Sequence, residues 1–357
     1  MPKQRRYLKR TIALILVIAG VWFASACSVG YYSQAVGGHL KLMAARQPIE
    51  RLLKAEDTDE ELRAKLQTLV DAKAFAIERL SLPNNDSYKS YAETGKRYIT
   101  WNVVASEEFS LSAQTWCFPV AGCVSYRGYF AQEDAEAFAQ ELRDQNFDVS
   151  IGGATAYSTL GWFDDPVLDT MLRGGDIRYV GILFHELAHQ LLYVKDDSSF
   201  NEAFASFVEQ EGVRIWLEER GQSDRIALYD AYLARSDDFN ALLKRTRAEL
   251  VKLYELTLPE EQMRERKAAI FTSMRAHYEE LKASWNGYKG YDGWFKRELN
   301  NARLISVSTY QRFIPAFAGM YLEAGEDLPE FYKLAKSISE LPISERRERL
   351  NSYFPDS

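Results

Sequence analysis

The chain has 357 residues, of which 46% are hydrophobic and 13% aromatic, so it is not a disordered segment and can bury a sizeable core. Its 44 Lys plus Arg against 51 Asp plus Glu give a net charge of −7, with no basic block beyond the first ten residues. A nucleic-acid partner is thereby excluded, because binding phosphates requires a concentrated Lys/Arg surface. The length allows two domains, or one large domain with a helical extension.

Lys3, Arg5, Arg6, Lys9 and Arg10 precede an uninterrupted apolar and small-residue run from Ile12 to Ala24. That run is shorter than the roughly 20 residues a membrane span needs. Residues 1–26 therefore read as a secretory signal peptide, with an uncleaved anchor helix as the alternative. Ala24-Ser25-Ala26-Cys27 resembles a bacterial lipobox, which implies a lipidated Cys27 and membrane attachment through it. Ser28 after the Cys resembles an outer-membrane sorting signal, so a periplasm-facing lipoprotein of the bacterial cell envelope is expected. Loss of the five positive charges takes the net charge from −7 to −12.

Helices are expected over 31–53 and 59–80, forming an N-terminal helical hairpin that ends at the turn cluster Leu82-Pro83-Asn84-Asn85-Asp86. The β-branched and aromatic run from Arg97 to Ala105 predicts a strand. Cys117 and Cys123 flank Pro119 and Gly122, whose turn chemistry could bring them together. In an exported chain a disulfide is the natural reading, with two reduced, buried thiols as the alternative. A helix over 133–145, a strand over 147–157 with Gly152-Gly153 marking a bulge or close approach, and a helical turn near 168–172 follow. From Tyr179 the pattern is almost all helix: through Tyr193, then 200–219, 224–234, 239–254, 260–284 and 327–335. The expected fold class is α+β, a mixed α/β half (27–220) followed by a mainly helical half (221–357).

His185-Glu186-Leu187-Ala188-His189 is an H-E-x-x-H motif, and it holds two of the chain's four His. On a helix the two His project from one face with the Glu one step round, which suits two imidazole ligands to one Zn²⁺ and a general base beside them. A helix with two satisfied core or surface histidines is the competing explanation. Catalytic zinc usually takes a third protein ligand. Glu202 is the best candidate, since a reversal at Lys195-Asp196-Asp197-Ser198 would set it opposite His189 on an antiparallel neighbour. Ser199-Phe200-Asn201-Glu202 also reads as a capping box, in which Glu202 would only bond back to the cap. Glu209, on the same face, then becomes the replacement ligand; otherwise it accepts the N–H of a metal-bound His.

H-E-x-x-H followed by Asn201-Glu202 on the next helix resembles the gluzincin metallopeptidases. The stretches Trp116 to Gly128 and Ala156 to Gly212, with Asn300-Asn301-Ala302, Thr309-Tyr310 and Pro315-Ala316-Phe317, resemble the bacterial lipoprotein family described as predicted aminopeptidases. The resemblance implies a zincin-like catalytic half and a zinc-dependent peptidase, with His185, His189 and Glu202 as ligands to one Zn²⁺ and Glu186 as general base. Only twelve residues separate His189 from Glu202, fewer than in thermolysin-like relatives, and the G-x-M-E-N motif of classical zinc aminopeptidases is absent. Tyr310 is the chosen donor to the developing oxyanion, with His277 behind it. The strand ending at Ala156 to Thr159 is the expected docking edge for a peptide or protein substrate. The alternatives are an envelope endopeptidase of protein quality control and a non-catalytic, partner-binding lipoprotein with a structural zinc site.

Overall fold

The computed structural model describes residues 30–118, 122–159, 162–308 and 313–354. The expected signal segment with Cys27, and Tyr310, lie outside the described residues. The chain divides into two units, Met1–Arg46 and Gln47–Ser357. Helix α1 (30–44) is the described part of the first. The helix expected to run on to residue 53 stops there. Pro48 lacks an N–H and restricts Gln47, so Gln47–Pro48 form the short strand β1 and α2 (Ile49–Lys54) starts afresh.

In the second unit α3 (Glu60–Glu78) begins at Asp59, whose carboxylate accepts from the Leu62 N–H at 3.0 Å. The strands β2 (Ser90–Ala92), β3 (Thr100–Glu107), β4 (Trp116–Phe118), β5 (Gly122–Val124) and β6 (Arg127–Tyr129) follow. Helix α4 (Gln132–Arg143) and strands β7 (Phe147–Ala154) and β8 (Val167–Leu168) complete the mixed part. An antiparallel sheet has the order β6-β3-β7; a smaller one has the order β1-β2-β8, with β2 and β8 parallel. Val104 packs against Ala302 and Ile305 on one face of the larger sheet, and α4 covers its strands as well. Gly153 is a close-approach glycine: a Cβ there would lie 2.2 Å from the Tyr98 ring.

The strand expected to reach Tyr157 ends at Ala154. Its outer edge is already engaged, since Asn300 Nδ2 donates to Val149 O at 3.1 Å and Arg297 donates to Ile151 O at 3.0 Å. Those side chains occupy two of the outward carbonyls of β7.

The remainder is helical: α5 (Asp176–Leu191), α6 (Ser198–Glu219), α7 (Ser223–Tyr254), α8 (Glu260–Ser284), α9 (Asp292–Phe295), α10 (Asn301–Ser308), α11 (Ile314–Glu323), α12 (Leu328–Ser339) and α13 (Ile343–Asn351). The fold is α+β, as the sequence predicts. The two helices expected over 224–254 are one, because the polar Arg235-Ser236-Asp237-Asp238 run contains neither Pro nor Gly to break it. A core of Phe239, Leu243, Phe271, Met274, Tyr278 and Phe295 joins α7, α8 and α9. A second aromatic core, of Phe200, Phe204, Phe207, Phe317 and Phe331, backs α6. No described helix is long and apolar enough to cross a membrane.

Candidate metal centre

Helix α5 buries Tyr179, Val180, Leu183, Phe184, Leu187 and Ala188, with the Phe184 ring against Phe75 of α3 and Trp216 of α6. With that stripe fixed in the core, His185, Glu186 and His189 are left on the remaining face. Asp176, in the first turn, is paired to both terminal nitrogens of Arg225 on α7, which anchors the start of the helix.

The turn into α6 is fastened by Asn201. Its side chain is buried; Oδ1 accepts from Val194 N and Nδ2 donates to Val194 O, both at 2.7 Å. Asp197 is the N-cap of α6, accepting from Phe200 N at 3.2 Å. Because the cap is Asp197 and not Ser199, Glu202 lies beyond the capping-box position and its side chain turns toward α5.

The consequence is a convergence of three ligand atoms. Nε2 of His189 is 3.1 Å from Nε2 of His185, and Glu202 Oε2 lies 3.4 Å from Nε2 of His185 and 3.8 Å from Nε2 of His189. Tetrahedral ligands about 2.0–2.1 Å from one zinc sit roughly 3.3 Å apart, so the spacing fits a single ion. His185, His189 and Glu202 are also the one group among the described residues with metal-holding geometry.

Glu209 is not in that group. Its Oε2 lies 3.1 Å from His185 Nδ1. A carboxylate can only accept, so Nδ1 carries a proton, and Nε2 is the nitrogen left to offer a lone pair to a metal once the ring is neutral. Gly181, one turn before His185, makes this contact possible: a Cβ there would stand 2.9 Å from Glu209 Oε1. Nδ1 of His189 is buried with no hydrogen-bond partner among the described residues.

A family model described as "putative aminopeptidase" matches residues 30–350. The chain belongs to this family. Comparisons with curated proteins and with solved structures returned no match. The family's name speaks for a peptidase-like hydrolase, and this aminopeptidase-family chain carries at residues 185–202 a group that could hold a metal.

Electrostatics in the family member's site follow from burial. Glu186 is pushed up to about 7, chiefly by desolvation, with Glu202 and Asp165 adding and His185 opposing. His189 is lowered to about 4 by burial and by the charge on His185. For His185 burial acts downward, yet hydrogen bonds to Glu202 and Glu209 outweigh it and hold the ring well above its ordinary value. For Glu202 burial acts upward and is the largest single influence, but its bond to His185 and the neighbouring histidines together outweigh it and lower the carboxyl.

Several neighbours carry no sequence motif. Tyr193 sits one turn past His189, ring centroids 6.3 Å apart, with Glu202 bearing on its hydroxyl. Asp165 and Tyr88 are buried, and burial, with the charges of Glu186 and Asp165 adding, holds the Tyr88 hydroxyl well above its ordinary value. His277 accepts no such place; its Nδ1 bonds to Ser273 O of its own helix at 2.8 Å. Cys117 and Cys123 face each other across β4 and β5, their sulfurs at bonding distance. That hairpin rests on the turn between α5 and α6, where Asp196 Oδ1 accepts from Cys123 N at 2.6 Å.

Proposed function

We propose that the protein is a zinc-dependent metallopeptidase of the aminopeptidase type, with His185, His189 and Glu202 as ligands and Glu186 as general base. One observation carries this reading: three ligand atoms within hydrogen-bond to ion-pair distance of one another, next to a carboxylate whose pKa of about 7 suits proton transfer at neutral pH. Zinc, when bound, would polarise the scissile carbonyl and acidify the attacking water. Glu186 takes the proton from that water and returns it to the leaving amine. Glu209 keeps the His185 ring in one tautomer and orientation. The developing oxyanion would take a donor from Tyr310, as the sequence suggests, or from Tyr193, whose ring lies 6.3 Å from that of His189.

The envelope location and the lipid anchor at Cys27 belong to the same proposal and rest on the Ala24-Ser25-Ala26-Cys27 sequence. Metal content and peptide hydrolysis of wild type, Glu186→Gln and Glu202→Ala test the whole reading. Wild type should hold about one zinc, Glu186→Gln should keep it without turnover, and Glu202→Ala should lose both. Wild type that binds no zinc would refute it. Cleavage of free and N-acetylated peptides at equal rates would remove the exopeptidase specificity and leave an endopeptidase.

A further inference from the structure

Helix α1 covers residues 30–44, and its Tyr32, Val36 and Leu40 recur every four residues, which sets them along one face. That face is open. Tyr32 is 42% exposed, Val36 56% and Leu40 60%. Single apolar residues on a surface are ordinary, whereas a helical stripe of them marks an interaction face. The helix is also weak by itself. Gly37-Gly38 stand at its middle, where glycine is the costliest residue after proline, and a helix of fifteen residues is marginal in water. Covering the stripe would offset that weakness.

Two features of the sequence point to what covers it. The first is position: α1 begins three residues after Cys27 and six after the end of the Ile12–Ala24 apolar run. Three residues span at most about 11 Å, so a lipid on Cys27, or an uncleaved anchor, starts α1 at the bilayer surface. The second is charge. All 51 Asp and Glu of the chain lie at Glu50 or beyond, while residues 28–49 hold Lys41 and Arg46 and no acid. An otherwise acidic protein thus carries, next to its anchor, a segment that anionic headgroups attract rather than repel. Length decides between spanning and lying flat. Fifteen residues at 1.5 Å each make about 22 Å, short of a hydrocarbon core of about 30 Å.

We propose that α1 lies on an anionic lipid surface, with Tyr32, Val36 and Leu40 in the boundary between headgroups and acyl chains and Lys41 and Arg46 at the lipid phosphates. Lysine and arginine stems are long enough to reach the headgroups from such a depth. Anchor and helix face are then two signals for one membrane, and together they hold better than either alone. The two-signal part rests on the envelope reading of Cys27; the affinity of the α1 face for lipid does not.

The full chain, labelled with one nitroxide at Val36→Cys or Leu40→Cys, is mixed with vesicles of phosphatidylglycerol and phosphatidylethanolamine. On vesicle-bound protein, collisions with oxygen should exceed those with a water-soluble nickel complex at both positions, and the order should reverse without vesicles. In unlabelled wild type the amides of 31–44 should exchange at least about tenfold more slowly with vesicles than without, and Val36→Glu with Leu40→Glu should abolish that slowing. Water-favoured collisions at both positions on bound protein, or unchanged exchange, would overturn the proposal. So would label-to-label broadening, which would place a second copy on the face. Mass spectrometry of the N-terminus tests the anchor separately. A Cys27 without lipid would refute the anchoring reading, and the same vesicle measurements on that chain at low salt would still decide whether α1 binds lipid.

Discussion

Asn201 and Val194 exchange two hydrogen bonds of 2.7 Å across the turn between α5 and α6. Asn201 immediately precedes Glu202, so this side-chain bridge fixes how far the turn brings Glu202 toward His189. Twelve intervening residues suffice because the side chain of Asn201 bonds the backbone as a neighbouring strand would. Asn201→Ala should leave the Val194 N–H and C=O unpaired, costing about 2–4 kcal/mol. Thermal unfolding checks the stability, and a zinc titration should show weakened binding; unchanged metal affinity would separate the bridge from the site.

Arg346 and Asp197 form a second clamp on α6. The guanidinium of α13 bonds the buried Asp197 carboxylate at 2.6 Å and also reaches Ser339 O and Leu341 O. Arg346→Met strands a buried carboxylate and should destabilise by about 3–5 kcal/mol. Adding Asp197→Asn retains a capping side chain without the charge and should recover most of that loss. Denaturant unfolding of the two single variants and the double variant measures the coupling; purely additive effects would contradict it.

Removal of Glu209 should weaken metal binding without abolishing it. Glu209→Ala frees His185 to rotate and to change tautomer, for which an about 10–100-fold loss in zinc affinity is expected. Glu209→Gln, which can still accept from Nδ1, should lose less. Competition with a chelator of known affinity resolves the two.

Metal uptake should be coupled to proton release. In the metal-free protein His185 is held protonated by Glu202 and Glu209 against the effect of burial, and Glu186 titrates near 7. A cation at the site requires neutral His185 and favours ionised Glu186, so about one to two protons leave at pH 7. Protons compete with the metal, hence apparent affinity falls as pH is lowered, by roughly tenfold per unit for each proton released. Calorimetry in buffers of different ionisation enthalpy counts them, and a count of zero would contradict the assignment.

The Cys117–Cys123 pair should resist alkylation unless first reduced. The closed loop is short, so replacing both by Ser should cost no more than about 2–3 kcal/mol. Because the hairpin rests on Asp196, reduction should also loosen the turn that carries Glu202. Mass spectrometry after non-reducing alkylation, followed by zinc titration of the double variant, tests both statements.

The two histidines of the candidate metal centre are legible from one local pattern. An i, i+4 His pair on a helix shares a face whatever surrounds it, and α5 spans Asp176–Leu191 with its apolar stripe where the periodicity predicts. The helical character of the second half was legible for the same reason, since period and propensity are local. The split at Pro48 and the continuity of α7 differ from the expected elements, although both follow from where Pro and Gly do and do not occur.

The sequence by itself therefore determined the α+β class, the H-E-x-x-H helix and a short list of third ligands. Only tertiary structure brings one of them, Glu202, beside both histidines. Asp197 rather than Ser199 caps α6, which frees Glu202 to face the histidines, while Gly181 admits Glu209 to His185 Nδ1. Asn201 has no signature because its role arises from a contact across the turn between α5 and α6. The opening charge and composition set what the protein could not be; the convergence of α5 and α6, held by buried polar bonds, set what its rarest residues can do together.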